Sequence, residues 1–394
     1  MIPPNRRGTH EPVATQDAPS RLALLCDPLD EGWASMNLAA DMLCEQLHAL
    51  DFPFTCLRPS LPRLARRLPS VGRHRAALNA DRLLGRYLDY PARVLLQRTR
   101  HDAFHIADHS YAQLVHALPP SQTGVYCHDL DAFRCILTPG KDVRPAWFRA
   151  LSRVTLEGLR KATVVFHSTL AVRAELLHHG LVPPERLVHA PYGVAPEFHQ
   201  AHSIPLPETV ARALKGHPYV LHVGNALPRK RLDVLFDVFA RLRARFPHLR
   251  LIQNGAALSP SHRAQLERLG LLNALHQPSA DASLSRAQVA ALYRHAEFLL
   301  FPSDAEGFGL PVIEALASGT RVLASDLPVL REVGGDAVTY CKVGDTDAWT
   351  QAASALLESP EAGPPAQTRA AQAARFTWRH HAEIILEGYQ RWTQ

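Results

Sequence analysis

Short apolar runs, each with a polar or histidine-bearing end and a helical stretch after it, recur along this chain, stop, and begin again. The first series is "RLALLCD" (21–27), "AFHIAD" (103–108), "TGVYCHDL" (123–130) and "ATVVFHS" (162–168). Between them, "SMNLAADMLCEQLHAL" repeats its apolar residues at helical spacing. Strands alternating with helices predict a parallel sheet covered on both faces, with functional groups at the carboxyl ends of the strands. Around "FHQAHSIPLPETV" (198–210) the pattern breaks into a polar, proline-spaced segment that reads as an interdomain connection. It resumes with "YVLHVGN". The following "KRLDVLFDVFARLRARF" carries Leu232, Leu235, Phe236, Phe239, Leu242 and Phe246 on one helical face. "LRLIQNG", "EFLLFPS" and "RVLASD" add further strands. The expectation is an α/β chain of two doubly wound domains, 20–200 and 201–375, facing each other across a cleft. Residues 1–19 read as an irregular polar tail, and 376–394 as a closing helix that packs back across the domains.

A chain of 394 residues with 46% hydrophobic and 20% charged residues has material for two real cores. No run reaches the length of apolar residues that a membrane span needs. The start lacks the apolar centre of a secretory signal. The six cysteines (Cys26, Cys44, Cys56, Cys127, Cys135, Cys341) contain no C-x-x-C pair. Neither zinc nor a disulfide framework is implied by them, and a reducing cytosol is the simplest compartment. The net charge of +6 favours an anionic partner.

Residues 58–100 are dense in arginine, with leucines interleaved. Two readings stand. One is a solvated face whose arginine stems cover apolar surface. The other is contact with an anionic membrane or a phosphorylated acceptor, which would place the protein peripherally on the inner face of the membrane. Nucleic acid is not expected, because no recognition motif accompanies the charge.

"EGFGLPVIE" (306–314) raises the chemical question, because two glutamates bracket two glycines and a proline after the apolar "FLLFPS". "LPVIEALASG" reads as a helix with Pro311 near its first position and Gly319 ending it. The first amides of such a helix, with its dipole, suit phosphate. Gly307 and Gly309 let the backbone pass close to a ligand. Glu314, placed in the first turn, can accept hydrogen bonds from a ribose diol. Glu306 lies about one sugar's width away if the loop curls over the ligand. A first-turn acid stabilised by the dipole alone is worth only ~0.3–1 kcal/mol, which accounts for Glu314 by itself but not for the constellation.

These residues resemble the E-x7-E signature of the family 4 retaining glycosyltransferases. "VGNALPRKRLDVLFDVF", the stretch "LYRHAEFLLFPSDAEGFGLPVIEALASGTRVLASDLPVLREVGGDAV" and "VVFHSTLAVRAELLHHGLVPPERLVHAPYGVAPEF" are similar to that family's other conserved segments. The resemblance implies the GT-B architecture of two Rossmann-like domains. It implies transfer of a sugar from a nucleotide-sugar donor, UDP- or GDP-linked, to a glycan or lipid-linked acceptor, with no cofactor and no metal. By the same resemblance Lys230, Glu306 and His128 would act at the reacting centre. Gly224, Asn225, Arg229, Glu306, Gly307, Phe308, Gly309, Leu310 and Glu314 would hold the donor. Gly32, Trp33, His109 and Asp129 would lie on the acceptor side. The sequence departs from the family in three places. Asn225 stands where many members have arginine, Tyr192 replaces the usual asparagine, and only Gly32 remains of a glycine-rich first loop. His222, inside "VLHVG", reads as core. Two other readings are a nucleotide-sugar epimerase or hydrolase on the same plan, and a binding protein that has lost transfer.

Overall fold

The computed structural model describes residues 21–68, 75–140, 142–199, 204–255, 257–278, 284–359 and 361–391. The tail read over 1–19 and part of the 198–210 connection lie outside them. Each apolar run becomes a strand. Leu22–Leu25 (β1), Phe54–Leu57 (β2), Ala103–Ile106 (β3), Thr123–Cys127 (β4), Val164–His167 (β5) and Leu187–His189 (β6) form one six-stranded sheet in the order β2-β1-β3-β4-β5-β6. All its pairings are parallel. The inner strands are buried at every position, which is why they read as unbroken apolar runs rather than alternating ones.

A second sheet follows from Tyr219–Val223 (β7), Arg250–Asn254 (β8), Leu275–His276 (β9), Leu299–Phe301 (β10), Val322–Ser325 (β11) and Thr339–Cys341 (β12). Its order is β12-β11-β10-β7-β8-β9, again all parallel. Helix Leu232–Arg245 packs on this sheet through Leu232, Leu235, Phe236, Phe239 and Leu242, all at most 2% exposed. Phe246 falls just past its end and is half-buried. In both sheets the strand order reverses once, between β1 and β3 and between β7 and β10. In open α/β sheets ligands bind outside the carboxyl ends at such a switch point.

The final helix, Trp378–Gln390, docks against the first sheet, although the chain reaches it from the second. The Tyr389 hydroxyl donates to the Phe104 carbonyl at 2.9 Å and meets His105 Nδ1 at 3.0 Å. A methyl group on Gly388 would come within 2.5 Å of Phe166, so only glycine permits this approach. Val194 pairs with Thr377 in an isolated parallel bridge.

The arginine-rich segment is more tied down than a solvated face. It forms helices Arg75–Leu84 and Tyr90–Gln97 joined by a π turn. Arg66 binds Asp81 at 3.0 Å, and the same buried carboxylate accepts the Ala65 and Arg66 amides. Arg82 and Arg86 reach Glu31 at 3.8 and 3.4 Å, and Arg86 lies 4.3 Å over the Tyr111 ring. Leu64, Leu68, Leu88 and Leu96 nevertheless stay exposed. No helix among the described residues is long and apolar enough to cross a membrane.

Although the sequence has no C-x-x-C pair, Cys26, Cys44 and Cys56 bring their sulfurs within 4.8 Å of one another. Cys26 follows β1, Cys56 lies in its neighbour β2, and Cys44 lies in the crossover helix Ala34–Ala49. The βαβ unit gathers residues that no short spacing rule connects.

Candidate functional site

The residues of interest come from the two loops that flank the switch point of the second sheet. After β7, Gly224 takes φ 156° and the chain turns into a short 3-10 segment, Pro228–Lys230. Its end is set by Arg231 in the left-handed region (φ 48°), an unfavourable conformation for a non-glycine residue. Lys230 is thereby driven inward and is only 6% exposed. After β10, the loop 302–309 carries Glu306 to meet it. Lys230 Nζ donates to Glu306 Oε1 at 2.6 Å, and Arg229 donates to Oε2 at 3.1 Å and to the Ala305 carbonyl at 2.9 Å. The Asp304 amide donates to the Arg229 carbonyl at 2.8 Å, which locks the two loops together. Lys230 also lies 4.8 Å above the Phe301 ring.

Burial alone would raise the Glu306 carboxyl, but Lys230 and then Arg229 outweigh it and hold it below the usual carboxylate range. Burial pulls the Lys230 ammonium down, with Glu306 opposing. One carboxylate thus faces two cations in a site whose side chains are largely withdrawn from water. The half-exposed Asp131 lies 3.9 Å from Arg229, and Asp129 also acts on that guanidinium, so the two cations are shared among acids of both loops and of the first sheet.

Gly309 (φ 99°) caps helix Leu310–Ala317, with Pro311 in its first turn. Because Leu310 is already helical, Glu314 is the fifth residue of the helix, just beyond the first turn in which the sequence placed it. It is 8% exposed, its Oε2 accepts the Tyr293 hydroxyl at 2.9 Å, and burial pushes its carboxyl up to about 7. The ring of Phe308 packs against Tyr192 and Phe376, so this residue faces the protein rather than a ligand.

The same loop touches the first sheet. The Gly307 carbonyl accepts from the Ser168 and Thr169 hydroxyls, both at 3.2 Å. A methyl group on Gly307 would stand 2.6 Å from the His128 carbonyl. Glu332 accepts the Leu170 amide at 2.9 Å at the start of helix Leu170–His178.

On the first-sheet side, His128 lies at the end of β4, but its imidazole is committed to the fold. Nε2 meets the Ala107 carbonyl at 2.8 Å and Nδ1 meets the Tyr192 hydroxyl. Burial pushes it down to about 4. Tyr192, an unusual residue here by the resemblance, therefore occupies the nitrogen that a ligand would need. His109 lies between Asp108 (3.2 Å) and Asp129 (3.7 Å), and burial raises the Asp129 carboxyl. Gly32 turns the first loop in the left-handed region, and Trp33 is half exposed with its indole donating to Glu31. Asn225 accepts the Leu227 amide at 3.3 Å, a turn-forming role. His222 is wholly buried as expected of core, and burial, then Lys230, pushes it down to about 3.

The sequence reading missed Asp27 and Asp108. Both stand at carboxyl ends flanking the first sheet's switch point, both are buried, and burial followed by Asp108 raises Asp27. Their signal was in plain view, since "LLCD" and "HIAD" each end an apolar run with an acid.

Residues 209–376 match the family model described as glycosyl transferases group 1. A D-inositol 3-phosphate glycosyltransferase of Mycobacterium avium is 34% identical over 193 residues, 46% of this chain and 44% of that one. An MMP alpha-(1->4)-mannosyltransferase of Mycolicibacterium hassiacum is 30% identical over 230 residues, 56% of this chain and 52% of that one. The chain spans about half the length, or less, of these curated relatives. Sucrose-phosphate synthase from Thermosynechococcus elongatus has the same fold, with a TM-score of 0.70 at 18% identity over 94% of this chain and 98% of that one. So does Anabaena HepE solved with UDP and glucose, with a TM-score of 0.65 at 16% identity over 93% and 98%. Residues 209–376 thus match the group 1 glycosyl transferase model within a chain that has the two-sheet GT-B architecture of these neighbours.

Proposed function

We propose that this chain is a retaining glycosyltransferase that moves a sugar from a nucleoside-diphosphate sugar to an acceptor hydroxyl in the synthesis of a glycan or glycolipid. The observation that carries this reading is the convergence of Arg229 and Lys230 on Glu306 at the switch point of the second sheet. A diphosphate bound there is met by both cations. The leaving oxygen gains charge as the glycosidic bond breaks, so the two cations stabilise the transition state more than the ground state. With lysine and arginine carrying that countercharge, transfer proceeds without a metal. Glu306 then turns from its cations towards hydroxyls of the donor sugar. Glu314 accepts the ribose diol, with Tyr293 orienting it, and the amides of Gly307, Phe308, Gly309 and Leu310 run along the diphosphate.

In this scheme the bond between the anomeric carbon and the diphosphate oxygen breaks with its electron pair going to the diphosphate. The acceptor oxygen attacks the same face of an oxocarbenium-like centre and its proton passes to the departing diphosphate. The nucleoside is uridine or guanosine. HepE was solved with UDP and glucose, which favours uridine. The acceptor enters from the first sheet, past Gly32, Trp33, His109 and Asp129. His128 acts on the donor only if Nδ1 leaves Tyr192.

The acceptor is lipid-linked in this reading, and the enzyme works at the inner face of a membrane. Exposed Leu64, Leu68, Leu88 and Leu96 beside the exposed Arg63, Arg67 and Arg98 suit an anionic surface. Arg66 is excluded from that surface role because it holds Asp81. Binding to anionic vesicles that persists in Arg63→Glu/Arg67→Glu with Leu96→Ser would remove this part of the proposal.

Donor turnover decides the main one. The protein is incubated with UDP-, GDP- and ADP-sugars, with and without candidate acceptors, while free nucleoside diphosphate and the product anomer are followed by NMR. Retained configuration in an acceptor-dependent product supports transfer. Turnover indifferent to every acceptor would point to hydrolysis or epimerisation, and inverted product would exclude the retaining mechanism.

A further inference from the structure

Three thiols meet where β1 and β2 end beside the crossover helix Ala34–Ala49, at residues the proposed transfer does not use. The Cys26 and Cys56 sulfurs are 3.5 Å apart and the Cys44 sulfur completes a group within 4.8 Å. None is in a disulfide. Free cysteines usually fill apolar cores, and Cys26 does so, but Cys44 is half-buried and Cys56 exposed. Packing therefore does not account for their convergence. We propose that Cys26, Cys44 and Cys56 form a three-thiolate site for one thiophilic d10 cation, Zn2+ or Cu+.

The spacing is close to what such an ion requires. Metal–sulfur bonds of about 2.3 Å place thiolates roughly 3.8–4.0 Å apart, so each sulfur needs to move by less than about 1 Å. The donor set is soft, which selects these ions over oxygen-seeking ones. Cu+ is satisfied by three sulfurs, whereas Zn2+ takes a solvent ligand as its fourth. Access exists through Cys56 and through the depression of about 510 Å3 lined by Asn37, Asp41, Cys44, Glu45 and Arg286. None of those residues belongs to the Lys230–Glu306 constellation. Arg58, paired with Asp41 at 2.7 Å, places a positive charge near the thiols. On binding, three S–H bonds are replaced by three metal–sulfur bonds and the protons leave to solvent, with no change of oxidation state.

The site would pin the carboxyl ends of β1 and β2 to the crossover helix, just behind the loop of Gly32 and Trp33. The test uses the full chain, reduced and stripped of metal. Zn2+ and, anaerobically, Cu+ are each titrated in competition with a chromophoric chelator, and Co2+ serves as an optical probe of thiolate ligation. One ion per chain is expected, with sulfur-to-cobalt charge-transfer absorption. Cys44→Ser and Cys56→Ser, at positions open enough to tolerate serine, should each weaken binding at least ten-fold while leaving the metal-free melting temperature unchanged. The same stoichiometry and affinity in the double variant, or cobalt binding without the charge-transfer band, would overturn the proposal.

Discussion

Lys230 Nζ and Glu306 Oε1 stand 2.6 Å apart, joined across 76 positions of sequence and withdrawn from solvent. Removing either partner leaves the other as a buried charge, so under the proposed transfer a change here is expected to act on stability and turnover together. Lys230→Ala is expected to lower transfer by about 10²–10³-fold and to destabilise the fold by about 3 kcal/mol. Lys230→Met combined with Glu306→Gln should recover most of the stability and none of the activity. Urea melts beside initial rates on the same samples separate the two effects.

Glu314 should make stability depend on pH in an unusual direction. Its carboxyl is raised from 4.5 to about 7 by burial. Between those values the folded chain keeps a proton that the unfolded chain has lost. Stability from this group therefore falls as pH rises through that window and levels off above 7. A shift of this size corresponds to about 3 kcal/mol. Glu314→Gln is expected to be more stable than the parent at pH 8 and nearly equal at pH 4, while binding UDP or GDP more weakly. Parallel melts at the two pH values would show no difference between the proteins if the carboxyl were not buried.

Gly307 is where the second sheet's loop meets the first sheet. An alanine there would thrust its methyl to 2.6 Å from the His128 carbonyl, which real side chains do not tolerate without movement. Gly307→Ala should cut turnover at least ten-fold by holding the two sheets apart. Circular dichroism should remain that of the parent, since neither sheet is touched internally.

The Tyr389 hydroxyl serves the Phe104 carbonyl and His105 Nδ1 together. Tyr389→Phe leaves both buried groups with fewer partners and is expected to cost about 1–3 kcal/mol. Hydrogen exchange should show the loss concentrated in helix Trp378–Gln390 and β3.

Much of this architecture was legible in local pattern. Buried parallel strands are short unbroken apolar runs, so their positions and the restart near 219 could be read directly. Gly307, Gly309 and Pro311 announced a loop entering a helix, and Arg229 and Lys230 lay in the other motif. What stayed hidden was pairwise packing across long separations. That Tyr192 takes the His128 ring, 64 positions away, follows from no periodicity. Nor does the use of Arg82 and Arg86 to hold Glu31, which turns part of an apparently solvated basic segment into an anchor for the first loop. The meeting of Cys26, Cys44 and Cys56 depended on strand order, which composition does not encode.

The bridge between Val194 and Thr377 has a mechanical consequence. The chain passes from the first unit to the second just beyond Val194, and returns from the second at Thr377. The two passages are bonded side by side, with Val194 also donating to Phe376 and a Gly193 methyl having no room beside Trp378. Two strands of chain fastened together form a spine rather than a swivel. Once the Gly307 contacts to Ser168 and Thr169 part, the units are expected to open like a book about that line rather than slide or twist past each other. Motion should be small near the spine and largest at the outer edge, so a ligand can be admitted and enclosed while the two faces return to the same register each time.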